Sequence, residues 1–229
     1  MFCKIADLVA NLPASDGLAV RCSDYLCPNQ EQADITVKSE LYRNKLYPSG
    51  TSKEEIAYLE SSYQFYKALV AFGGFYLHAS TVVKDGKAYL FSAPCGTGKS
   101  THTQLWVDTF GGDTRIINDD KPALRKIDNV WYAYGTPWCG KAYINSNEKA
   151  PVAGVCFLKQ APHNKIRKMG TEEALKQVLT QTIFRFDNVS DLDKLLATLT
   201  DFLSSVPIYE LENLPEADAA KLSFETMRK

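Results

Sequence analysis

Residues 84–100 of this 229-residue chain have the sequence KDGKAYLFSAPCGTGKS. Asp85-Gly86 is typical of a two-residue β-hairpin turn, so residues 75–83 and 88–91 are predicted to pair as antiparallel strands. The return strand leads into a glycine-rich loop, followed by a helix from Lys99 to about Phe110. This stretch predicts an α/β (α+β) domain with a mixed, partly antiparallel sheet.

The remaining pattern extends this domain in both directions. Ser52 and Glu55 form a capping box ahead of apolar residues at helical spacing. Strands are predicted at 115–117, 123–127 paired with 130–134, 152–158 paired with 165–169, and 208–211; C-terminal helices are predicted at 171–184, 190–205 and 215–227. Residues 1–50 are the least readable part, with strand-like alternation at 34–38. We expect them to be a β-containing segment of the same unit.

Charge balance and cysteine spacing argue against several classes of function. The chain has 26 basic and 27 acidic residues, a net charge of −1, so it has no general attraction for nucleic acid or anionic lipid. Its six cysteines contain no CxxC pair, and no stretch approaches the roughly 20 apolar residues of a membrane span. We expect a reduced cytoplasmic protein without nucleic-acid or membrane partners.

The glycine-rich loop carries the most specific chemical signal. Gly96 and Gly98 allow backbone amides to surround an anion, and the helix that follows directs its positive end at the same point. Lys99 can reach outer phosphates, and the Ser100 hydroxyl can bind Mg²⁺. The predicted ligand is ATP with Mg²⁺, held by Ala93, Pro94, Cys95, Gly96, Thr97, Gly98, Lys99, Ser100 and Thr101. Ala93 stands where glycine is usual, and the alternative is a chance glycine-rich turn.

Asn118-Asp119-Asp120 follows the predicted helix and a short strand. A helix of about twelve residues spans roughly 18 Å, so the chain can return these acids to the phosphate end of the sheet. One carboxylate can then hold Mg²⁺ while the other accepts a proton from a hydroxyl. The alternative is an aspartate pair that caps a turn before Pro122.

His78 lies on the strand that enters the hairpin. The two-residue turn pairs position i with 171 − i, which puts His78 opposite Ala93 and beside the predicted phosphate site. A core histidine is the other interpretation. His102 and His163 are expected to be structural or solvent-facing.

The order of His78, the Gly96–Ser100 loop and the Asp119-Asp120 pair resembles HPr kinase/phosphorylase and the related phosphoenolpyruvate carboxykinase nucleotide-binding fold. The resemblance spans about residues 75–170. It implies that Ser100 and Asp120 hold the metal, that Asp119 is the general base, and that His78 lies near the metal or the transferred phosphoryl group. Residues 51–229 would then form a P-loop nucleotide-binding, kinase-like domain.

Two departures separate this chain from those enzymes. It is too short for a carboxykinase, and it lacks the signature that follows the catalytic segment in true HPr kinases. We therefore expect a relative that acts on something other than HPr. Similar small kinases phosphorylate free serine or a serine of a ribosomally made peptide, which suggests those acceptor classes.

Residues 134–141, with the sequence YGTPWCGK, replace that signature. Gly135, Pro137 and Gly140 predict a tight loop from which Lys141 could reach the transferring phosphoryl group or an acidic acceptor, and the alternative is a rigid β-turn. Packing alone could explain Trp138. Cys95 and Cys139 are interpreted as small apolar fillers.

The prediction is therefore an ATP-dependent serine kinase that transfers the γ-phosphoryl group to a hydroxyl of a peptide, protein or small molecule. A non-catalytic ATP-binding regulatory or assembly protein is the alternative, and a reverse phosphatase or phosphorylase activity is a third interpretation. The acceptor, the choice between ATP and another phosphoryl donor, and the oligomeric state, a homo-oligomer among the options, stay open.

Overall fold

The computed structural model describes residues 1–28, 32–43, 46–182 and 189–229. Within these ranges the strands are β1 (Phe2–Ile5), β2 (Leu8–Asn11), β3 (Ile35–Thr36), β4 (Gly74–Tyr76), β5 (Ala79–Lys84), β6 (Lys87–Ser92), β7 (Arg115–Asp120), β8 (Ala123–Ile127), β9 (Val130–Tyr134), β10 (Lys149–Gln160), β11 (Lys165–Lys168) and β12 (Ile208–Asn213). The α-helices are α1 (Asp16–Arg21), α2 (Lys53–Leu69), α3 (Lys99–Phe110), α4 (Thr171–Gln181), α5 (Val189–Ser205) and α6 (Ala217–Met227). The predicted mixed α/β architecture is confirmed.

The long strand β10 organises the main sheet. Its first residues pair with β9, which continues through β8 to β4, while its later residues lie between β6 and β12. On the β6 side the order continues to β5 and β7. β10 is parallel to β6 and β12, and the hairpins are antiparallel, so the sheet is mixed.

The hairpin register agrees with the prediction. Ala79 pairs with Ser92 and Lys84 with Lys87, as the 171 − i rule requires. Asp85 and Gly86 have φ values of +51° and +72°, the left-handed conformation of a type I′ turn. The predicted strand 75–83 is interrupted at residues 77–78, because β4 pairs with β8 whereas β5 pairs with β6 and β7.

Three strand predictions need correction. The predicted pair 152–158 with 165–169 is wrong, because β12 pairs with β10 on one side and with β11 on the other. The strand predicted at 115–117 continues to Asp120, since its ladder with β5 extends to the second aspartate. The alternation at 34–38 yields only the two residues of β3.

The helix predictions are close to the structure. The Ser52 side chain accepts from the amide of Glu55, so α2 begins with the predicted cap, and α5 and α6 lie within two residues of their predicted bounds. The α4 prediction ran to residue 184, of which 183 and 184 lie outside the described residues.

Both faces of the sheet are buried, and alternate residues of its central strands supply the two cores. On β6, Ala88 and Leu90 face the core under α4 and α5, whereas Tyr89 and Phe91 face α3 and α6. A third core joins the small sheet of β1, β2 and β3 to α2 and Trp138. None of the helices in the described part of the chain is long and apolar enough to cross a membrane.

Candidate active site

The glycine-rich loop connects β6 to α3, as predicted. Gly96 and Gly98 have φ values of +80° and +113°, which side chains rarely adopt, so these glycines permit the loop to turn. The amides of the first turn of α3 lie directly behind it, because the helix begins at Lys99. Ala93, at the position where glycine is usual, is buried in the core with Tyr89.

Lys99 is held by its own loop. Its ammonium donates to the carbonyl oxygens of Ala93 and Pro94 at 2.9 and 3.4 Å. Burial lowers the pKa of Lys99, and the nearby Cys95, Asp120 and Asp119 oppose that shift. The cation therefore lies at the loop, and its hydrogen-bond partners among the described residues are neutral oxygens.

The first aspartate of the pair contacts α3. The Ser100 hydroxyl donates to Oδ1 of Asp119 at 3.0 Å, and Asp119 is only 8% exposed. One turn later, the Thr103 and Ser80 hydroxyls lie 2.8 Å apart and connect α3 to β5. These contacts fix the start of α3 against β7 and bring the loop serine to one carboxylate.

The second aspartate contacts the histidine. Nε2 of His78 lies 3.2 Å from Oδ1 of Asp120, and Nδ1 of His78 lies 3.0 Å from the side-chain oxygen of Gln181. Burial raises the pKa of Asp120, but the His78 hydrogen bond and the charges of Lys121 and Lys99 outweigh it and hold that pKa below its usual range. Asp120 is therefore an anion with an oriented partner.

Three residues that sequence reasoning did not single out complete this side of the site. Tyr58, on α2, donates to Oδ2 of Asp120 at 3.5 Å and accepts from the amide of Gly140 at 3.0 Å. Arg21 donates to the carbonyl oxygen of Gly140 at 2.8 Å, and its guanidinium lies over the Tyr58 ring. Lys121 directly follows the acid pair, and this adjacency was the one signal that could have identified it.

The Gly135–Lys141 loop has two different roles. Trp138 is fully buried, donates from Nε1 to the Ser61 hydroxyl at 3.1 Å and packs on Phe65, which confirms the packing interpretation. Lys141 is exposed and lines the cleft, as expected for a residue that reaches into it. Gly140 has φ +67° and touches the acid pair: a Cβ there would lie 3.1 Å from the carbonyl oxygen of Asp119.

The predictions for the other cysteines and histidines agree with the structure except at Cys95. Cys139 is buried, in agreement with the interpretation as a filler, but that interpretation is wrong for Cys95, which is exposed at the edge of the cleft. His102 is buried and His163 is exposed, bonded to Glu212. Of the residues predicted to hold the nucleotide, the central cleft is lined by Cys95, Gly96, Gly98, Lys99, Ser100 and Thr101, whereas Ala93, Pro94 and Thr97 do not line it. His78, Asp119, Asp120 and Lys141 line the same cleft.

Three adjoining cavities lie beside the loop and the acid pair. The central cleft, of about 570 Å³, holds the loop, the acid pair, His78 and Lys141. A cavity of about 400 Å³ shares Gly96, Gly98 and Thr101 with the cleft and extends to Gln160 and Asn213. A third, of about 350 Å³, shares His78 and Asp120 and is walled by Tyr47, Tyr63, Tyr76 and Lys121; we call it the tyrosine-lined cavity. All three are within the size range of small-molecule sites.

The donor set at the loop suits Mg²⁺. A hydroxyl and two carboxylates are the hard oxygen ligands that this ion prefers, and it usually takes only one or two carboxylates in addition to phosphate oxygens and water. Among the described residues, no group of three or more histidine, cysteine, aspartate and glutamate side chains is arranged to hold a metal. The residues therefore fit an ion that is bound together with a phosphorylated ligand.

Comparison with solved structures finds similar proteins. The chain is similar to the HPr(Ser) kinase/phosphatase from Coxiella burnetii, with a TM-score of 0.38 and 14% identity over 66% of this chain and 87% of that chain. No protein-family model and no curated protein matches the sequence. At this TM-score the likeness carries no information about substrates.

Proposed function

We propose that this protein is an ATP- and Mg²⁺-dependent phosphotransferase that moves the γ-phosphoryl group to a hydroxyl. The observation that carries the proposal is the central cleft, where a glycine-rich loop, a lysine and two carboxylates meet between two further cavities. Such a row has room for a donor, the transfer point and an acceptor, in that order.

The nucleotide would lie along the loop and α3. The loop amides and the first turn of α3 would bind the phosphates, and Lys99 would exchange its loop carbonyls for a phosphate oxygen. The cavity at Thr101, Gln160 and Asn213 would receive the nucleoside, because it adjoins the loop on the side away from the acid pair. The exposed Lys141 would contact the transferring group.

The two carboxylates would divide the remaining work. The resemblance implied Ser100 and Asp120 for the metal and Asp119 for the base, but two contacts favour the opposite division. Ser100 bonds Asp119, so an ion at the serine hydroxyl would meet that carboxylate first. Asp120 lines both the cleft and the tyrosine-lined cavity, where a hydroxyl would approach.

Bound Mg²⁺ would supply neutralisation of the charge on the phosphate oxygens. Asp120 would accept the hydroxyl proton, and His78 and Tyr58, which bond its two oxygens, would orient it.

Paired variants test this division. The variants are Asp119→Asn, Asp120→Asn and the control Asp193→Asn, which replaces an exposed aspartate. Calorimetry measures the binding of Mg·ATP to each variant. Labelled ATP and a set of hydroxyl compounds measure phosphoryl transfer by each variant. We expect Asp119→Asn to lose the gain in ATP affinity that Mg²⁺ provides. Asp120→Asn should keep Mg·ATP affinity and lose roughly a hundredfold or more in transfer rate.

Two results would contradict the proposal at different levels. If the wild-type protein does not bind Mg·ATP, the function itself is wrong. If Asp120→Asn loses the metal effect and Asp119→Asn loses only transfer, the division implied by the resemblance is correct and ours is not.

An ATP-binding regulatory protein is the second candidate. The bonds from Lys99 to its own loop carbonyls favour it, because they occupy the cation that transfer would need. Tight Mg·ATP binding without product from any acceptor would support this candidate.

A further inference from the structure

The tyrosine-lined cavity has a fixed cationic residue in its wall. The turn that carries Lys121 is held by three contacts: its amide donates to the side chain of Asn118 at 2.9 Å, and its carbonyl oxygen accepts from Thr136 at 2.8 Å and from Tyr66. The backbone of this lysine is therefore anchored at the mouth shared with the cleft.

The ammonium of Lys121 has weak partners. Nζ donates to the Ser62 hydroxyl at 3.4 Å and lies 5.1 Å from the centre of the Tyr58 ring. Among the described residues, no carboxylate is within 4.0 Å of it. The charge of Asp120 acts on this partly buried ammonium without contacting it. A partly buried ammonium that no carboxylate contacts is costly, which favours an anion from outside the chain.

The other cation of this cavity is already neutralised. Arg43 contacts both oxygens of the buried Glu60, at 3.1 and 3.2 Å, and the Tyr47 hydroxyl donates to the same carboxylate at 2.7 Å. Glu60 therefore balances Arg43, and Lys121 is the cation left to bind a ligand in the described part of this wall.

The cleft does not account for Lys121. This residue lines the tyrosine-lined cavity and is absent from the walls of the central cleft, whereas His78 and Asp120 line both. A ligand that reached from Asp120 to Lys121 would thus place one end at the transfer point and the other beside the ammonium.

We infer that the tyrosine-lined cavity binds the phosphoryl acceptor, and that the acceptor carries a carboxylate held by Lys121 close to the hydroxyl held at Asp120. This inference rests on the proposed function. A volume of about 350 Å³ suits a single small hydroxy or amino acid, or one terminal residue of a peptide. Both sources share the hydroxyl and the carboxylate. In the transfer the hydroxyl oxygen bonds the γ-phosphorus, the bond to the ADP oxygen breaks, and the hydroxyl proton moves to Asp120.

Pairs of compounds that differ only in the carboxylate test the inference. The acceptors are glycerate against glycerol, L-serine against L-serinamide, and a hexapeptide ending in serine with a free or an amidated C-terminus. Transfer from labelled ATP is measured for the wild-type protein, Lys121→Met, Lys121→Arg and the control Lys165→Met, which replaces an exposed lysine of β11. Thermal unfolding and Mg·ATP calorimetry on each variant confirm folding and nucleotide binding.

We expect transfer to at least one carboxylated compound and far less to its neutral partner. Lys121→Met should raise the KM of that acceptor roughly tenfold to a hundredfold with little change in kcat, Lys121→Arg should recover part of the loss, and Lys165→Met should match the wild type. The small compounds and the peptide then show which source the cavity takes.

Three results overturn the inference. They are equal transfer to charged and neutral partners, an unchanged KM in Lys121→Met, and Mg·ATP binding without transfer to any carboxylated compound. Failure of the wild-type protein to bind Mg·ATP instead removes the proposed function, so the two failures are distinguishable.

Discussion

The stability of the protein at acid pH is expected to depend on His102, two residues after Ser100 on α3. The ring is 1% exposed; its Nε2 accepts from Nε1 of Trp106 at 3.3 Å and lies 3.2 Å from the Ser223 hydroxyl. Nδ1 has no hydrogen-bond partner among the described residues. Burial lowers the pKa of His102 from 6.5 to about 3, so the folded protein keeps this ring neutral.

The sign and size of the effect follow from proton linkage. The unfolded chain binds a proton at His102 below pH 6.5, whereas the folded chain does so only near pH 3. The stability that the neutral ring contributes is therefore present above pH 6.5 and is lost progressively as the pH falls toward 3. At about pH 4.5, some two units below the unfolded pKa, the loss is about 3 kcal/mol at about 1.4 kcal/mol per unit.

Urea unfolding at about pH 7 and 4.5 measures this loss against a His102→Gln variant. Glutamine places an amide near the position of Nε2 and does not titrate, while His78 and His163 are the same in both proteins. The wild type should lose about 3 kcal/mol more than the variant between the two pH values. Equal losses would refute a neutral buried ring, and a larger loss in the variant would reverse the sign.

Three further outcomes are expected. Lys99→Met should weaken Mg·ATP binding roughly tenfold or more by calorimetry while unfolding at a similar temperature, because a charge-assisted contact is lost and the core is untouched; unchanged affinity would contradict its role. Gly135→Ala should destabilise the chain by about 3 kcal/mol or more in thermal unfolding, because the added Cβ would lie 1.9 and 2.5 Å from two backbone carbonyl oxygens. The control Gly17→Ala, whose added Cβ would have its nearest atom at 3.6 Å, should be tolerated. Equal effects of the two substitutions would show that the crowding at Gly135 is relieved. Trp138→Phe should cost about 1–2 kcal/mol through its lost bond to Ser61 and leave Mg·ATP affinity unchanged; weaker binding would show that this tryptophan contacts the ligand.

Features set by neighbouring residues could be predicted from the sequence. The Asp85-Gly86 turn fixes the register of β5 and β6, because a two-residue turn allows one pairing. The Ser52 cap and the first residue of α3 were also predicted, since caps and glycine-rich turns act within a few residues. The same local logic indicated that the acid pair would return to the loop.

Contacts between distant parts of the chain needed the tertiary structure. β12 lies between β10 and β11 because the buried edge of β10 accepts a parallel strand from about fifty residues later, and adjacency in sequence gives no sign of that choice. Tyr58, on α2, contacts Asp120, and Gln181, on α4, contacts His78. The apolar spacing of these helices predicts only that they pack on a core.

The contacts within the candidate site also depend on the tertiary structure. The sequence indicated that a loop, a lysine and two adjacent acids would meet at one end of a sheet, because the strand and helix lengths allow it. Which acid meets Ser100, which meets His78, and the position of Lys121 in a separate cavity were decided by side-chain packing across four segments of the chain. The position of a residue along a strand determines only the face of the sheet on which its side chain lies. The residues that this side chain contacts are determined by the tertiary structure.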